Sequence, residues 1–489
     1  MRVAIVSHLV GLLVRLFGLT LAPPAAVAAS HREWGDAVGF AVAGAITLVL
    51  GHAMRRAGGS RAEAAVERLR RAEGLAVVSA TWLIIANLAA IPYVWAGIPP
   101  IDALFESMSG LTTTGATTFR DFTQYGRGIF FWRALTHWLG GMGVIALFVA
   151  VLPRLAIGGR QLFFAEAPGP TDEKLTPQIR QTAIALWGLY AALTFVEVLA
   201  LALAGMPLFD AVCNSFATLA AGGFSPHPAS IAGYQNTAAE WIIIVFMFLA
   251  GANFAVQYRV VRGYGRALVQ DEEFRAYSGV VLVASALLAA ALIADGLESG
   301  AAVRHAIFQT LSIITTTGFA SVDFQLWTDQ AKIVLLLLMF IGGCAGSAGG
   351  GPKVVRHLLM ARFTIRELKR AVHPRAVLPV KLGGRVVPDD VMRDVVVFML
   401  FYLLTFAVAA AIVIGFGADI VTGISATIAC LGNIGPGFNQ VGPMGHYADL
   451  HPVSKIVLTL AMWIGRLEVI TVLVLFRWDL WRGARWRVE

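Results

Sequence analysis

Apolar stretches of about 20 residues, the length a helix needs to cross about 30 Å of hydrocarbon, recur about ten times along this chain. They lie near 9–28, 37–54, 74–97, 128–152, 180–204, 240–258, 278–295, 330–370, 393–415 and 453–476. Only 14% of the 489 residues are charged and 57% are apolar, too few polar side chains to cover a soluble fold of this size. The composition excludes a water-soluble enzyme and predicts an all-α protein of the membrane. Cys213, Cys344 and Cys430 lie far apart in apolar surroundings, which suggests neither a disulfide scaffold nor a thiolate metal site.

Every second connection is basic. Arg55 to Arg71 holds six Arg, Arg154 to Arg180 four Lys or Arg, Arg259 to Arg275 four, Lys353 to Arg393 ten and Arg477 to Arg487 four. No Lys or Arg occurs from Gln181 to Tyr258 or from Asp394 to Ser454. The positive-inside rule therefore places the basic loops and both termini in the cytoplasm, and the net charge of +8 reflects topology rather than a nucleic-acid surface. Arg2, the following apolar run and Ala26-Val27-Ala28 resemble a cleaved signal peptide. Arg15 interrupts that run, and Pro23-Pro24 is tolerable as a kink in a membrane helix, so a retained span is expected.

Four outward connections share one plan: a span, an apolar segment too short to cross, a Gly-containing turn and a second span. The short segments are Ile101 to Leu111, Pro207 to Thr218, Ala301 to Ile314 and Ala418 to Cys430. The turns read Thr112-Thr113-Thr114-Gly115, Leu219-Ala220-Ala221-Gly222-Gly223, Thr315-Thr316-Thr317-Gly318 and Gly432-Asn433-Ile434-Gly435. Each segment must dip in and return on the outer side. Irregular backbone at membrane depth survives only when buried in protein or lining an aqueous cavity, and four such turns on one axis would present rings of carbonyls that replace the hydration shell of a monovalent cation. Taken singly, any one Thr-Thr-Thr-Gly turn would serve close helix packing or form a loop more often than a filter.

With Trp138-Leu139-Gly140-Gly141-Met142-Gly143, Gly342 to Gly351 followed by Lys353, Asn433-Ile434-Gly435-Pro436-Gly437 and Gly465-Arg466-Leu467-Glu468, the turns make almost the whole chain resemble the membrane subunits of the Trk/Ktr potassium-uptake family, in its TrkH-like branch. The resemblance implies four pseudo-repeated helix–pore-loop–helix units around one central pore, preceded by two extra N-terminal transmembrane helices. On that basis the chain divides into 1–58 (helix pair), 59–165, 166–270 and 271–375 (repeats one to three) and 376–489 (repeat four and tail). It also implies a homodimer in the bacterial cytoplasmic membrane, a cytoplasmic ring of nucleotide-binding regulatory subunits, and potassium as the permeant ion, with possible symport of protons or sodium and no cofactor in this chain. The implied filter residues are Thr113, Thr114, Gly115, Ala220, Ala221, Gly222, Thr316, Thr317, Gly318, Asn433, Ile434 and Gly435. Gly115 at the first filter favours potassium. Ala220-Ala221 and Gly432 depart from the family's Ser-Thr and Asn and point to weaker discrimination against sodium.

Gly342 to Gly351 holds six Gly in ten positions, each costing about 1 kcal/mol in a helix interior, so a helix is not expected to persist there. Pro352-Lys353-Val354 breaks a phosphate-loop pattern, and Ala345 breaks the Gly-x-Ser-x-Gly elbow around Ser347. The remaining reading, which the resemblance shares, is a gate loop involving Gly346, Ser347, Gly349, Gly350, Gly351 and Lys353. Arg466, well inside the last span, costs at least about 2.5 kcal/mol unless it faces a cavity or partner. Either it faces the conduction path, as the resemblance implies, or it pairs with Glu197 or Glu468. Asp102, Glu106, Asp121, Asp210, Asp323 and Asp329 at the outer mouth would concentrate cations, and His137 reads as an interface residue rather than a metal ligand. Two other functions remain to be weighed: a sodium-permeable or poorly selective transporter, and an intramembrane hydrolase using Ser347.

Overall fold

The computed structural model describes residues 2–59, 71–150, 175–468 and Val472. The basic tail Arg477 to Arg487, the end of the expected 453–476 span, much of the Arg55–Arg71 and Arg154–Arg180 connections, and the junction at 165–166 lie outside the described residues. The fold is the expected all-α membrane architecture. An N-terminal helix Val3–Leu19 passes through Thr20 and Leu21 into Ala22–Ser30 and then packs along Trp34–Gly58. Four units of outer helix, pore helix and inner helix follow.

The outer helices are Arg71–Ala89 (continued by Ile91–Trp95), Leu175–Leu203, Glu272–Ala294 and Asp389–Gly415. Each ends the same way. Gly97, Gly205, Gly296 and Gly417 take φ of +91°, +91°, +90° and +100°, a left-handed conformation that costs Gly little. The amide of the next residue reaches back five positions, as Ile98 N does to Tyr93 O and Leu297 N to Leu292 O, so the stray carbonyls of the helix end are satisfied. The pore helix begins three residues after each of these glycines: Pro100–Leu111, Leu208–Leu219, Ser299–Ile314 and Ile420–Leu431. This spacing turns the chain back before it has crossed.

The inner helices differ among repeats. The first, Arg127–Ala150, is continuous. The second, expected as one span over 240–258, is Thr237–Ala250 followed by Phe254–Val261 at an angle of 104°; Asn253 starts the new segment by accepting from Ala255 N and Val256 N. The third, expected within 330–370, stops at Leu338 and resumes as the amphipathic helix Val354–Val372. The fourth is Pro452–Arg466. A two-stranded hairpin pairs Lys381 with Val386 and Leu382 with Arg385 before the fourth outer helix. Outer helices expose Leu199, Leu203, Leu282, Leu287, Leu400 and Leu404, the surface a lipid contact requires, while the C-terminal halves of the pore helices are almost wholly buried.

A candidate ion-conducting ring and the loop beneath it

All four pore helices end in one motif. The capping residues are Thr112, Ala220, Thr315 and Gly432. Next come Thr113, Ala221, Thr316 and Asn433 at φ of +51°, +55°, +61° and +55°. Their amides reach back to Gly110 O, Thr218 O, Ile313 O and Cys430 O, and those of Thr114, Gly222, Thr317 and Ile434 to Ser109 O, Ala217 O, Ser312 O and Ala429 O. This is a Schellman cap built without glycine at its left-handed position. A β-branched Thr held there costs of order 1–3 kcal/mol, strain that the surrounding packing must hold.

Gly115, Gly223, Gly318 and Gly435 follow at φ of +81°, +79°, +78° and +100°. This corrects the expected register of the second filter: its ring glycine is Gly223, Gly222 takes the place of Thr114, and Ala220 is the helix cap. The ring closes in chain order. A Cβ on Gly115 would overlap Gly222 O, one on Gly223 Thr317 O, one on Gly318 Ile434 O, and one on Gly435 Thr114 O. Only glycine permits so close an approach, and it sets the carbonyl oxygens of Thr114, Gly222, Thr317 and Ile434 each against the next turn of a closed ring, at the C-terminal, negative ends of four pore helices. The same four glycines line one vestibule with Thr117, Ser225 and Arg133.

The turns are not all braced alike. In the first and third, Thr112 and Thr114 Oγ1 lie 2.8 Å apart, as do those of Thr315 and Thr317. The fourth has no such pair; Asn433 Nδ2 donates to Thr114 Oγ1 and Met462 O, both at 3.0 Å, and the Tyr447 hydroxyl donates to Gly435 O at 2.7 Å. Among the acids expected to concentrate cations at the mouth, Glu106 is buried and accepts from Arg133 Nε at 2.8 Å, and Asp102 is held by Lys455. These two are structural pairs.

The six-glycine run passes directly beneath the third and fourth turns. Gly350 N donates to Thr316 Oγ1 at 2.6 Å, and Cβ atoms on Gly349 and Gly350 would lie 2.6 Å from Thr315 O and 2.5 Å from Gly432 O. The run is tied to the break in the second inner helix by Cys344 N to Gly251 O (2.8 Å) and Ala348 N to Ala250 O (3.2 Å). Buried Glu273, which sequence reasoning passed over, accepts from Ala345 N at 2.7 Å and Val355 N at 3.0 Å. Lys353 is buried at φ +77° with Nζ on Gly349 O. Arg466 donates to Ala348 O at 2.9 Å and to Gly140 O at 3.5 Å, bridging the loop and the first inner helix beneath the ring.

The alternative pairing of Arg466 does not occur: Glu468 binds Arg356 at 2.6 Å, and neither Glu197 oxygen has a partner among the described residues. A Cβ on Gly346 would meet Asn253 and one on Gly351 would meet Gly342, neither of them a residue of the four turns. Ser347 Oγ has no hydrogen-bond partner among the described residues, and His357 Nε2 is engaged with Phe340 O at 2.9 Å. Among the described residues no general base is hydrogen-bonded to Ser347, which removes the basis for a hydrolase.

Comparison with known proteins agrees. The family description "TrkH: Cation transport protein" matches residues 40–487. The "Trk system potassium uptake protein TrkH" of Salmonella typhimurium is 39% identical over 487 residues, 98% of this chain and 99% of that protein. The TrkH of Halomonas elongata is 38% identical over 493 residues, covering 99% and 100%, and the TrkG of Escherichia coli 35% over 492, covering 99% of each. The crystal structure of the potassium transporter TrkH from Vibrio parahaemolyticus superposes with a TM-score of 0.88 at 36% identity over 99% of this chain and 100% of that one. The chain belongs to the TrkH family of cation transport proteins.

Proposed function

We propose that the chain takes up potassium across the cytoplasmic membrane of a bacterium through a single channel-like pore. The observation that carries this reading is the closed ring Gly115–Gly223–Gly318–Gly435, whose neighbouring carbonyls are positioned to stand in for an ion's water. Gly349, Gly350, Lys353 and Arg466 form the gate: the loop lies against the ring's inner side, and the guanidinium adds a fixed positive charge that opposes a cation below it. A second reading, weaker discrimination between potassium and sodium, is favoured by the absence of the hydroxyl pair from turns two and four.

The flow of ions would follow the electrochemical gradient, with symport of protons or sodium as a further possibility to test. The basic connections support cytoplasmic termini. Family likeness supports the division 1–58, 59–165, 166–270, 271–375 and 376–489, a homodimer, and a nucleotide-binding ring docked on the cytoplasmic side. Radioactive rubidium uptake into vesicles containing the purified chain tests the core claim. Uptake displaced by potassium well before sodium supports it; equal displacement selects the poorly selective reading, and no uptake under an imposed gradient contradicts both.

A further inference from the structure

Three turns carry a side chain immediately before the ring glycine: Thr114, Thr317 and Ile434. The second carries none, because Gly222 stands there. The space beside it is filled from another repeat. A Cβ on Gly222 would lie 2.6 Å from Cγ, 2.7 Å from Cδ2 and 2.8 Å from Nδ1 of His137, a fully buried residue of the first inner helix.

The imidazole is fixed at both nitrogens. Nδ1 lies 2.8 Å from Gly110 O, near the end of the first pore helix, and Nε2 lies 3.2 Å from Phe224 N, directly after the ring glycine. A carbonyl can only accept and an amide N–H can only donate, so the proton sits on Nδ1 and the Nε2 lone pair receives Phe224 N–H. The ring also stacks on Phe224 at 4.2 Å. Arg133, one turn earlier on the same helix, places its guanidinium 3.9 Å from that phenyl ring and is itself held by Glu106.

We propose that His137 is the brace of the second turn, supplied by the neighbouring repeat in place of a side chain at position 222, and that it is a positioning residue for ion discrimination. The inference rests on the pore reading. Turns one and three are braced by paired hydroxyls and turn four by Asn433 and Tyr447, whereas the second turn has only Ala220, Ala221 and two glycines of its own. If this turn could sag inward, the ring would also fit a smaller cation, and the loss would show in the ion ratio.

The test is competition of potassium and sodium against rubidium uptake in vesicles holding the full chain. The ratio is taken within one preparation, so a lower yield of folded protein does not move it. His137→Ala leaves the buried Phe224 N–H unpaired, and the potassium-over-sodium ratio is expected to fall by about tenfold. His137→Gln, which retains an acceptor, is expected to keep most of the ratio. Gly222→Thr alone drives its Cβ into the imidazole and is expected to lose uptake, while Gly222→Thr with His137→Ala regains it because the threonine then has room. An unchanged ratio in His137→Ala, or a double variant no more active than Gly222→Thr, overturns the assignment while leaving the pore reading intact. Absence of uptake by the unsubstituted chain sinks the pore reading and the assignment with it.

Discussion

The first and third repeats cover the underside of their turns with the same kind of residue in opposite kinds of backbone. In the first repeat, Gly140 and Gly141 sit within the continuous helix Arg127–Ala150, where a Cβ on Gly140 would overlap Leu111 O. In the third, Gly349 and Gly350 sit in an irregular loop, and a Cβ on Gly349 would lie 2.6 Å from Thr315 O. The helix satisfies its own amides. The loop depends on outside groups: Gly251 O, Ala250 O, Thr316 Oγ1 and the Glu273 carboxylate take its N–H groups, while Arg466 and Lys353 hold its carbonyls. A helix bonded to itself and a loop bonded from outside thus occupy one slot, and only the loop's hydrogen bonds can be removed singly without unwinding a helix.

The contrast breaks most sharply if both glycines are filled. Gly140→Ala has no room in a helix locked against the turn and is expected to destabilise the protein by about 1–3 kcal/mol and abolish rubidium uptake. Gly349→Ala can be relieved by moving the loop away, so uptake is expected to persist or rise. Equal losses in uptake and thermal unfolding would show that the loop is as rigid as the helix. Glu273→Ala leaves the buried N–H groups of Ala345 and Val355 without their acceptor, at about 1–3 kcal/mol each, and is expected to raise flux at least tenfold in single-channel or vesicle recordings. Arg466→Ala removes one loop contact and the fixed charge; a several-fold rise in flux at equal expression is expected, and unchanged or lower flux would count against a gating role. The smallest effect sharpens the comparison at a single hydroxyl. Thr316 Oγ1 receives Gly350 N–H, whereas Thr113 Oγ1 has no partner among the described residues. Thr316→Val is therefore expected to change flux by about fivefold to tenfold, in line with one buried hydrogen bond, and Thr113→Val by less than about twofold. Both retain β-branching, so backbone strain is held constant.

Much of this was legible in residue spacing. The pore helices fall within two residues of their expected bounds because proline or an acid starts them and a left-handed residue ends them. The register of the second turn was misread because Gly222 and Gly223 both satisfy a requirement for glycine. Counting from the last apolar helical residue would have found it, since Leu111, Leu219, Ile314 and Leu431 each precede the ring glycine by four. The bend at Gly251 was hidden inside an apolar run, and Asn253 as a helix-starting residue was its only local signal. His137 and Glu273 could not be found this way, because their partners lie 87 residues (Phe224) and 72 residues (Ala345) away along the chain and no periodicity links them.

On the proposed function, main-chain oxygens of Thr114, Gly222, Thr317 and Ile434 hold a dehydrated alkali cation. Anomalous diffraction from crystals equilibrated with thallium or rubidium tests it directly. A peak is expected among those four carbonyls that weakens as potassium is added; a conducting protein whose heavy-cation peaks all lie away from that ring would rule the filter out.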